Sequence, residues 1–249
     1  MNIDLAGKRA IVAGGSRGIG RAIALAFAEA GAAVSICARG AEGLVATHEE
    51  IARHGGVAHS AVCDLANEAA VPRYIEDAAA TLGGIDILVN NASGFGASDD
   101  EKGWAVSVSV DLMATVRAIR AALPYLEKSA SAAILNISSI SGLRATPRTP
   151  PYAAVKAAVL NYTLTEAAAL ARKGIRVNCI APGSIEFPGG TWERARLNNP
   201  DLYGRILRSI PFARLGKPEE VAQVALFLCS PLAGWVTGQN IAVDGGQML

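Results

Sequence analysis

Residues 136–156 hold the groups best suited to chemistry: Ser139 near one end, Tyr152 and Lys156 at the other. Tyr152 and Lys156 are four residues apart, so on a helix both side chains leave the same face and address one reacting centre. A phenol beside an ammonium is a tunable acid. Free tyrosine titrates near pH ~10, and a neighbouring positive charge favours the phenolate, bringing the group toward the range where it passes protons. Ser139 adds a hydroxyl that can hydrogen-bond a substrate oxygen. Taken alone, a Tyr and a Lys at this spacing make an ordinary half-exposed helix face. What the pair means depends on the elements that position it.

The first of those elements is an apolar run at 9–13 ending in Gly14-Gly15-Ser16-Arg17-Gly18-Ile19-Gly20. Ile23, Ala26, Phe27 and Ala30 then recur at helical spacing until Gly31 stops the pattern. This is strand, glycine turn, helix. Such a turn lets backbone approach a pyrophosphate, and the helix that follows presents free amides and its positive dipole end. The spacing, Gly14-x-x-x-Gly18-x-Gly20, differs from the GxGxxG form, but its setting points to a dinucleotide held by Gly14, Ser16, Arg17, Gly18, Ile19 and Gly20. A second strand over 33–38 ends where the adenosine ribose is read. A carboxylate there would accept from a free 2′-hydroxyl; instead Arg39 follows Ala38. Arg17 and Arg39 can converge on a 2′-phosphate, which favours NADP(H) over NAD(H).

The rest of the chain alternates. Strands are expected over 57–63, 85–90, 132–137, 174–180 and 240–243, and helices over 66–82, 107–127, from Tyr152 onward and over 218–229. Residues 142–151 carry three prolines and read as loop; 186–211 mix Gly, Pro, Trp and Arg with only short helical patterns and read as a substrate lid. Alternation implies one α/β domain over 1–249, doubly wound and Rossmann-like, with a mainly parallel seven-stranded sheet and helices on both faces. The hydrophobic fraction is 51% and the net charge +1, with basic residues scattered, so neither nucleic acid nor a membrane is expected as partner. No stretch of 18 uncharged apolar residues occurs. Four cysteines lie far apart, without zinc-ligand spacing, and read as buried thiols. No metal is expected. The first nine residues lead almost directly into a strand without a long apolar signal region, so a cytoplasmic location is expected.

Together these features resemble the short-chain dehydrogenase/reductase family over 8–246. The turn 14–20, Asp64, Asn90-Asn91-Ala92, Ser139 thirteen residues before Tyr152, Tyr152-x-x-x-Lys156 and Pro182-Gly183 match it in type, order and spacing. Within the family the chain looks most like the 3-oxoacyl-carrier-protein reductases and related NADPH-dependent carbonyl reductases, to which Thr237-Gly238-Gln239 and Val243-Asp244-Gly245-Gly246 are also similar. The resemblance implies that Tyr152 protonates a ketone oxygen, or deprotonates an alcohol in reverse. It implies that Lys156 lowers the tyrosine pKa and bonds the nicotinamide ribose, while Ser139 steadies the carbonyl. Asp64 and Leu65 would flank the adenine, Asn91 the adenosine side of the ribose region and Ile185 the nicotinamide, with Ala92, Pro182 and Gly183 completing the cofactor set. The resemblance also suggests a homotetramer built on the helices of 107–127 and 152–172.

The chain departs from the family pattern at several places. Asp111 stands where Asn usually helps hold a relay water beside the lysine; a carboxylate accepts hydrogen bonds but cannot donate, and its charge favours protonated Lys156, so a modified relay is expected. Ser93 replaces a usual Gly, Phe187 a usual Thr, and Ala13 a common Thr. The substrate is expected to be a small ketone or alcohol. Phe95, Phe187, Pro188 and Trp192 offer an apolar wall, whereas Arg144, Arg148, Arg194 and Arg196 offer sites for an acidic group or acidic carrier. Two other readings stand beside a ketone reductase: a non-catalytic dinucleotide-binding sensor or subunit, and a dehydrogenase oxidising a polyol or sterol alcohol. Retention of Ser139, Tyr152 and Lys156 together favours an enzyme over a sensor.

Overall fold

Seven short runs rich in Ile, Val and Ala form strands: Arg9–Ala13 (β1), Ala33–Ala38 (β2), Ala58–Val62 (β3), Ile87–Asn90 (β4), Ala133–Ile137 (β5), Arg176–Pro182 (β6) and Asn240–Val243 (β7). In this computed structural model residues 3–249 are described; Met1 and Asn2, the start of the amino-terminal stretch read above, lie outside the described residues. Every strand pair is parallel, in the order β3-β2-β1-β4-β5-β6-β7. The order reverses at β1, where Ala13 lies between Cys37 and Asn90, and the crevice beyond that point is where open α/β sheets take ligands.

Among the described residues, nine α-helices connect and cover the strands: Gly18–Glu29 (α1), Ala41–Ala52 (α2), Ala70–Leu82 (α3), Glu101–Val106 (α4), Ala114–Leu126 (α5), Pro150–Leu170 (α6), Thr191–Asn198 (α7), Pro200–Arg208 (α8) and Pro218–Cys229 (α9). Alternate strand residues feed two cores, one on each face of the sheet. Val12 of β1 packs with Ile23 and Phe27 of α1 and Val221 of α9; its neighbour Ile11 packs with Ile75 of α3 and Ile119 of α5. Among the described residues, no helix is long and apolar enough to cross a membrane.

Three local expectations need correction. The loop read to residue 151 ends earlier: Pro150 and Pro151 open α6, in the first turn, where a missing N–H costs no helical bond. The helix read over 107–127 is α5 preceded by a π-helical segment, Ser107–Met113, whose wider turn reorients the residues it carries. Residues 186–211 are not irregular, because α7 and α8 lie within them. Asn199 caps α8 by accepting from the Leu202 amide (3.1 Å), with Pro200 in the first turn.

Candidate active site

The β1–α1 turn is shaped by close approach. Gly14 has φ +83°, and a Cβ there would lie 2.8 Å from the Ala92 Cα; one on Gly20 would lie 2.1 Å from the Gly14 carbonyl oxygen. Asn91 Nδ2 donates to that carbonyl (2.8 Å), fastening the end of β4 to the turn. Beyond the turn opens a cavity of about 840 Å³ along the carboxyl ends of the strands. Arg17 and Arg39 both line it, exposed, and neither side chain has a hydrogen-bond or ion-pair partner among the described residues. They leave two guanidinium groups free where the turn meets the end of β2, which suits a phosphate on the ribose.

The candidate acid–base groups gather at the end of β5. Ser139 follows that strand and accepts the Ser141 amide (3.1 Å), which leaves its hydroxyl proton free to donate elsewhere. Tyr152 sits half-buried in the first turn of α6, with Phe95 edge-on to it, ring centroids 4.9 Å apart and planes at 63°. One turn later comes Lys156, its Nζ 5.6 Å from the Tyr152 ring centroid. Lys156 Nζ donates to the Ile137 carbonyl (3.0 Å) and lies 3.1 Å from Asp111 Oδ1. That contact falls short of a directed hydrogen bond, so charge holds the pair. Both side chains are enclosed, at 3% and 0% exposure. Burial alone would pull the ammonium pKa down, but the Asp111 carboxylate, then Tyr152, more than offsets it, and Lys156 is raised above its ordinary value.

The surroundings fix Lys156 closely. Ser138 Oγ donates to the Lys156 carbonyl (2.8 Å), and Asn90, Asn136 and Thr163 form a buried chain of 2.9 Å hydrogen bonds tying β4 and β5 to α6. Asp111 rides on the π-helical segment and accepts the Gly94 amide (2.9 Å). Beside it the Ser93 departure is absorbed locally: Ser93 Oγ accepts the Phe95 amide (3.1 Å), and Phe95 takes φ +47°. Cys179, adjoining this cluster, has its thiol pushed up to about 12 by burial and takes no part as a thiolate.

Of the residues expected from sequence, Gly14, Ser16, Ile19, Asp64, Leu65, Asn91, Ala92, Pro182, Gly183 and Ile185 line the cavity with both arginines, Ser139, Tyr152 and Lys156. Gly18, Gly20 and Asp111 do not. Gly20 is internal packing, Asp111 stands behind Lys156, and Gly18 is covered by Phe187, whose ring carbon would lie 2.7 Å from a Cβ at Gly18. The four candidate arginines divide. Arg144 and Arg148 line the cavity; Arg196 pairs with Glu186 (2.8 Å) and Arg194 donates to the Gly189 carbonyl (3.1 Å), both outside the lining. Sequence reading missed Gln247, a buried lining residue whose Oε1 accepts the Ser184 amide (3.0 Å). A glutamine beyond the last strand carries no pattern that would have marked it.

A family model described as enoyl-(acyl carrier protein) reductase matches residues 13–248. The isoepoxydon dehydrogenase patN of Penicillium expansum is 39% identical over 255 residues, covering 99% of this chain and 96% of that protein. The 3-oxoacyl-[acyl-carrier-protein] reductase FabG of Chlamydia trachomatis serovar D is 37% identical over 251 residues, covering 98% of each. An NADPH-bound short-chain oxidoreductase from Pseudomonas aeruginosa PAO1, with an atypical catalytic center, matches with a TM-score of 0.89 at 37% identity over 98% of each chain. With its turn, its crevice and its serine, tyrosine and lysine in one cavity, the chain belongs to the short-chain dehydrogenase/reductase family of oxidoreductases.

Proposed function

We propose that this oxidoreductase uses NADP(H) to interconvert a ketone and a secondary alcohol, with Tyr152 as the general acid or base. The observation that carries the reading is the meeting of Ser139, Tyr152 and a charged, buried Lys156 in the cavity that also holds Arg17 and Arg39. The cradle fits a dinucleotide phosphate: the glycine turn opens α1 at the cavity, and neither Arg17 nor Arg39 is tied up in an ion pair, so both are available to a 2′-phosphate.

When bound, the nicotinamide supplies the hydride that adds to the carbonyl carbon. Tyr152 gives its phenolic proton to the carbonyl oxygen, so ketone, NADPH and a proton become secondary alcohol and NADP⁺. Ser139 donates a hydrogen bond to that oxygen as negative charge develops on it. Lys156 has three donors; one is engaged by the Ile137 carbonyl while Asp111 faces the ammonium by charge, and a remaining donor is left for the nicotinamide ribose or the Tyr152 oxygen. Asp111 stands where a water-holding amide is usual, makes a direct charge contact and favours the protonated form of Lys156.

Residues 186–211 serve in this reading as the substrate lid. Glu186 braces the segment, accepting from Arg196 (2.8 Å) and the Tyr203 hydroxyl (3.0 Å), while Trp192, Leu202 and Ile206 line the cavity. The reading includes a homotetramer on the π-helical segment, α5 and α6, where Val108 and Leu164 stand exposed; equilibrium sedimentation returning a monomer would reject that part.

The deciding test follows NADPH and NADH oxidation with a panel of ketones in the wild type and Tyr152→Phe. NADPH-dependent turnover that falls about 10²–10⁴-fold in the variant, with NADPH binding retained, is the expected result. Equal turnover in the two proteins would remove Tyr152 from its role.

A further inference from the structure

One end of the cavity is rich in hydrogen-bond donors and poor in acceptors. Arg144 and Arg148 reach it from the loop before α6, and Gln247 reaches it from the carboxyl-terminal tail. Gln247 is 4% exposed and spends Oε1 on the Ser184 amide, so its amide N–H₂ is the end left over. Arg144 is held in place by donating to the Gln247 main-chain carbonyl (3.1 Å), and Arg148 has no hydrogen-bond or ion-pair partner among the described residues. Most carboxylates on the bordering elements are engaged, and Asp201 of α8, which is not, lies outside the cavity lining. Glu186 holds Arg196 and Tyr203, Asp244 accepts the Gly246 and Met248 amides (both 2.9 Å), and Asp111 faces Lys156. The sole acidic residue lining the cavity among the described residues, Asp64, lies at the far end, beside Arg39. Trp192, Leu202 and Ile206, from α7 and α8, add apolar surface to the same cavity.

We propose that the substrate is an oxo acid: a ketone whose carboxylate is held by Arg144 and Arg148 while its carbonyl oxygen lies at Ser139 and Tyr152. This rests on the ketone reductase reading above and names its substrate class. A guanidinium fork matches a planar carboxylate, and two such forks with no competing carboxylate select an anion. The apolar residues of α7 and α8 in the same cavity take the carbon chain between the two functional groups. The tail takes part, because Gln247 sets the position of Arg144.

The test compares a homologous series of methyl-ketone acids with their methyl esters, in the NADPH-loaded protein, by turnover and by calorimetric binding to the NADP⁺-loaded protein. For at least one chain length the acid should exceed its ester by about tenfold or more in kcat/KM, chiefly through KM. Arg148→Met should bring that ratio to about one, and Arg148→Lys should restore part of it. Equal handling of acids and esters by the wild type, in turnover and in binding, would overturn the proposal. So would a preference for phosphopantetheine thioesters over every acid, which would assign the arginines to a phosphate. Should no ketone turn over while acids still bind more tightly than esters and Arg148→Met abolishes the difference, the carboxylate site stands and the reductase reading fails.

Discussion

Two pairs of carboxylate and cation, one partly and one fully buried, sit at opposite ends of the strands, and they are built differently. At the amino end Asp86, just before β4, accepts the Arg9 amide (2.9 Å), Arg9 Nε (2.7 Å), Arg9 Nη2 (2.9 Å) and Ser129 Oγ (2.5 Å). Burial alone would raise the Asp86 pKa, yet these bonds hold it below the ordinary carboxylate range. At the carboxyl end Asp111 accepts one amide, from Gly94, and faces Lys156 by charge alone. The first pair saturates its capacity and fixes β1 to β4. The second leaves capacity open beside a cavity, where an unspent donor or acceptor can meet a reacting group.

Breaking each pair should expose that difference. Lys156→Met leaves Asp111 buried without its counter-charge, which costs about 3–5 kcal/mol of stability in chemical denaturation, together with nearly all turnover. Asp86→Asn should cost less, about 2 kcal/mol, because Arg9 is partly exposed and recovers some solvation. The pH windows also part. Asp86 is depressed in the folded protein, so its contribution is present above the unfolded value near ~4 and is lost as pH falls through the folded value. Lys156 is raised, so its contribution persists below ~10.4 and is lost only as pH climbs through the folded value above that. Denaturation at a series of pH values should find the Asp86→Asn deficit shrinking below about pH 4 and constant through neutrality.

How much of this was legible depends on whether a function was local in the chain. The glycine turn, Arg39 at the end of β2 and the Tyr152–Lys156 pair each occupy one short segment, so each could be picked out as a candidate once its strand-and-helix setting was read with its spacing. The seven strands were legible to within a few residues for the same reason, each being a bounded apolar run. Residues 186–211 misled because α7 and α8 are short and interrupted by Asn199 and Pro200, leaving too few turns for periodicity to register. Gln247 and the separation of Arg144 and Arg148 from Arg194 and Arg196 were invisible, because they follow from which loop ends beside the tail and from partners, Glu186 for Arg196 and the Gly189 carbonyl for Arg194, that only the fold supplies. The π-helical turn under Asp111 was hidden too: its residues keep an apolar period that a plain helix would share.

The smallest expected effect sharpens the comparison most. Asp111→Asn keeps shape and the acceptor for the Gly94 amide but removes the charge beside Lys156. Burial, which pulls the ammonium pKa down, then acts without its main opponent, so the alkaline limb of the kcat profile should move to lower pH. Turnover at neutral pH should fall about tenfold, equivalent to about 1.4 kcal/mol. Asp86→Asn, the same change of charge at the other end, should lower stability and leave the limb where it is, since nothing in that pair touches the cavity. A limb that stays fixed in Asp111→Asn would mean that Lys156 holds its proton without the carboxylate. In that case Asp111 would differ from Asp86 only in position, as a packing partner for Gly94 and α6.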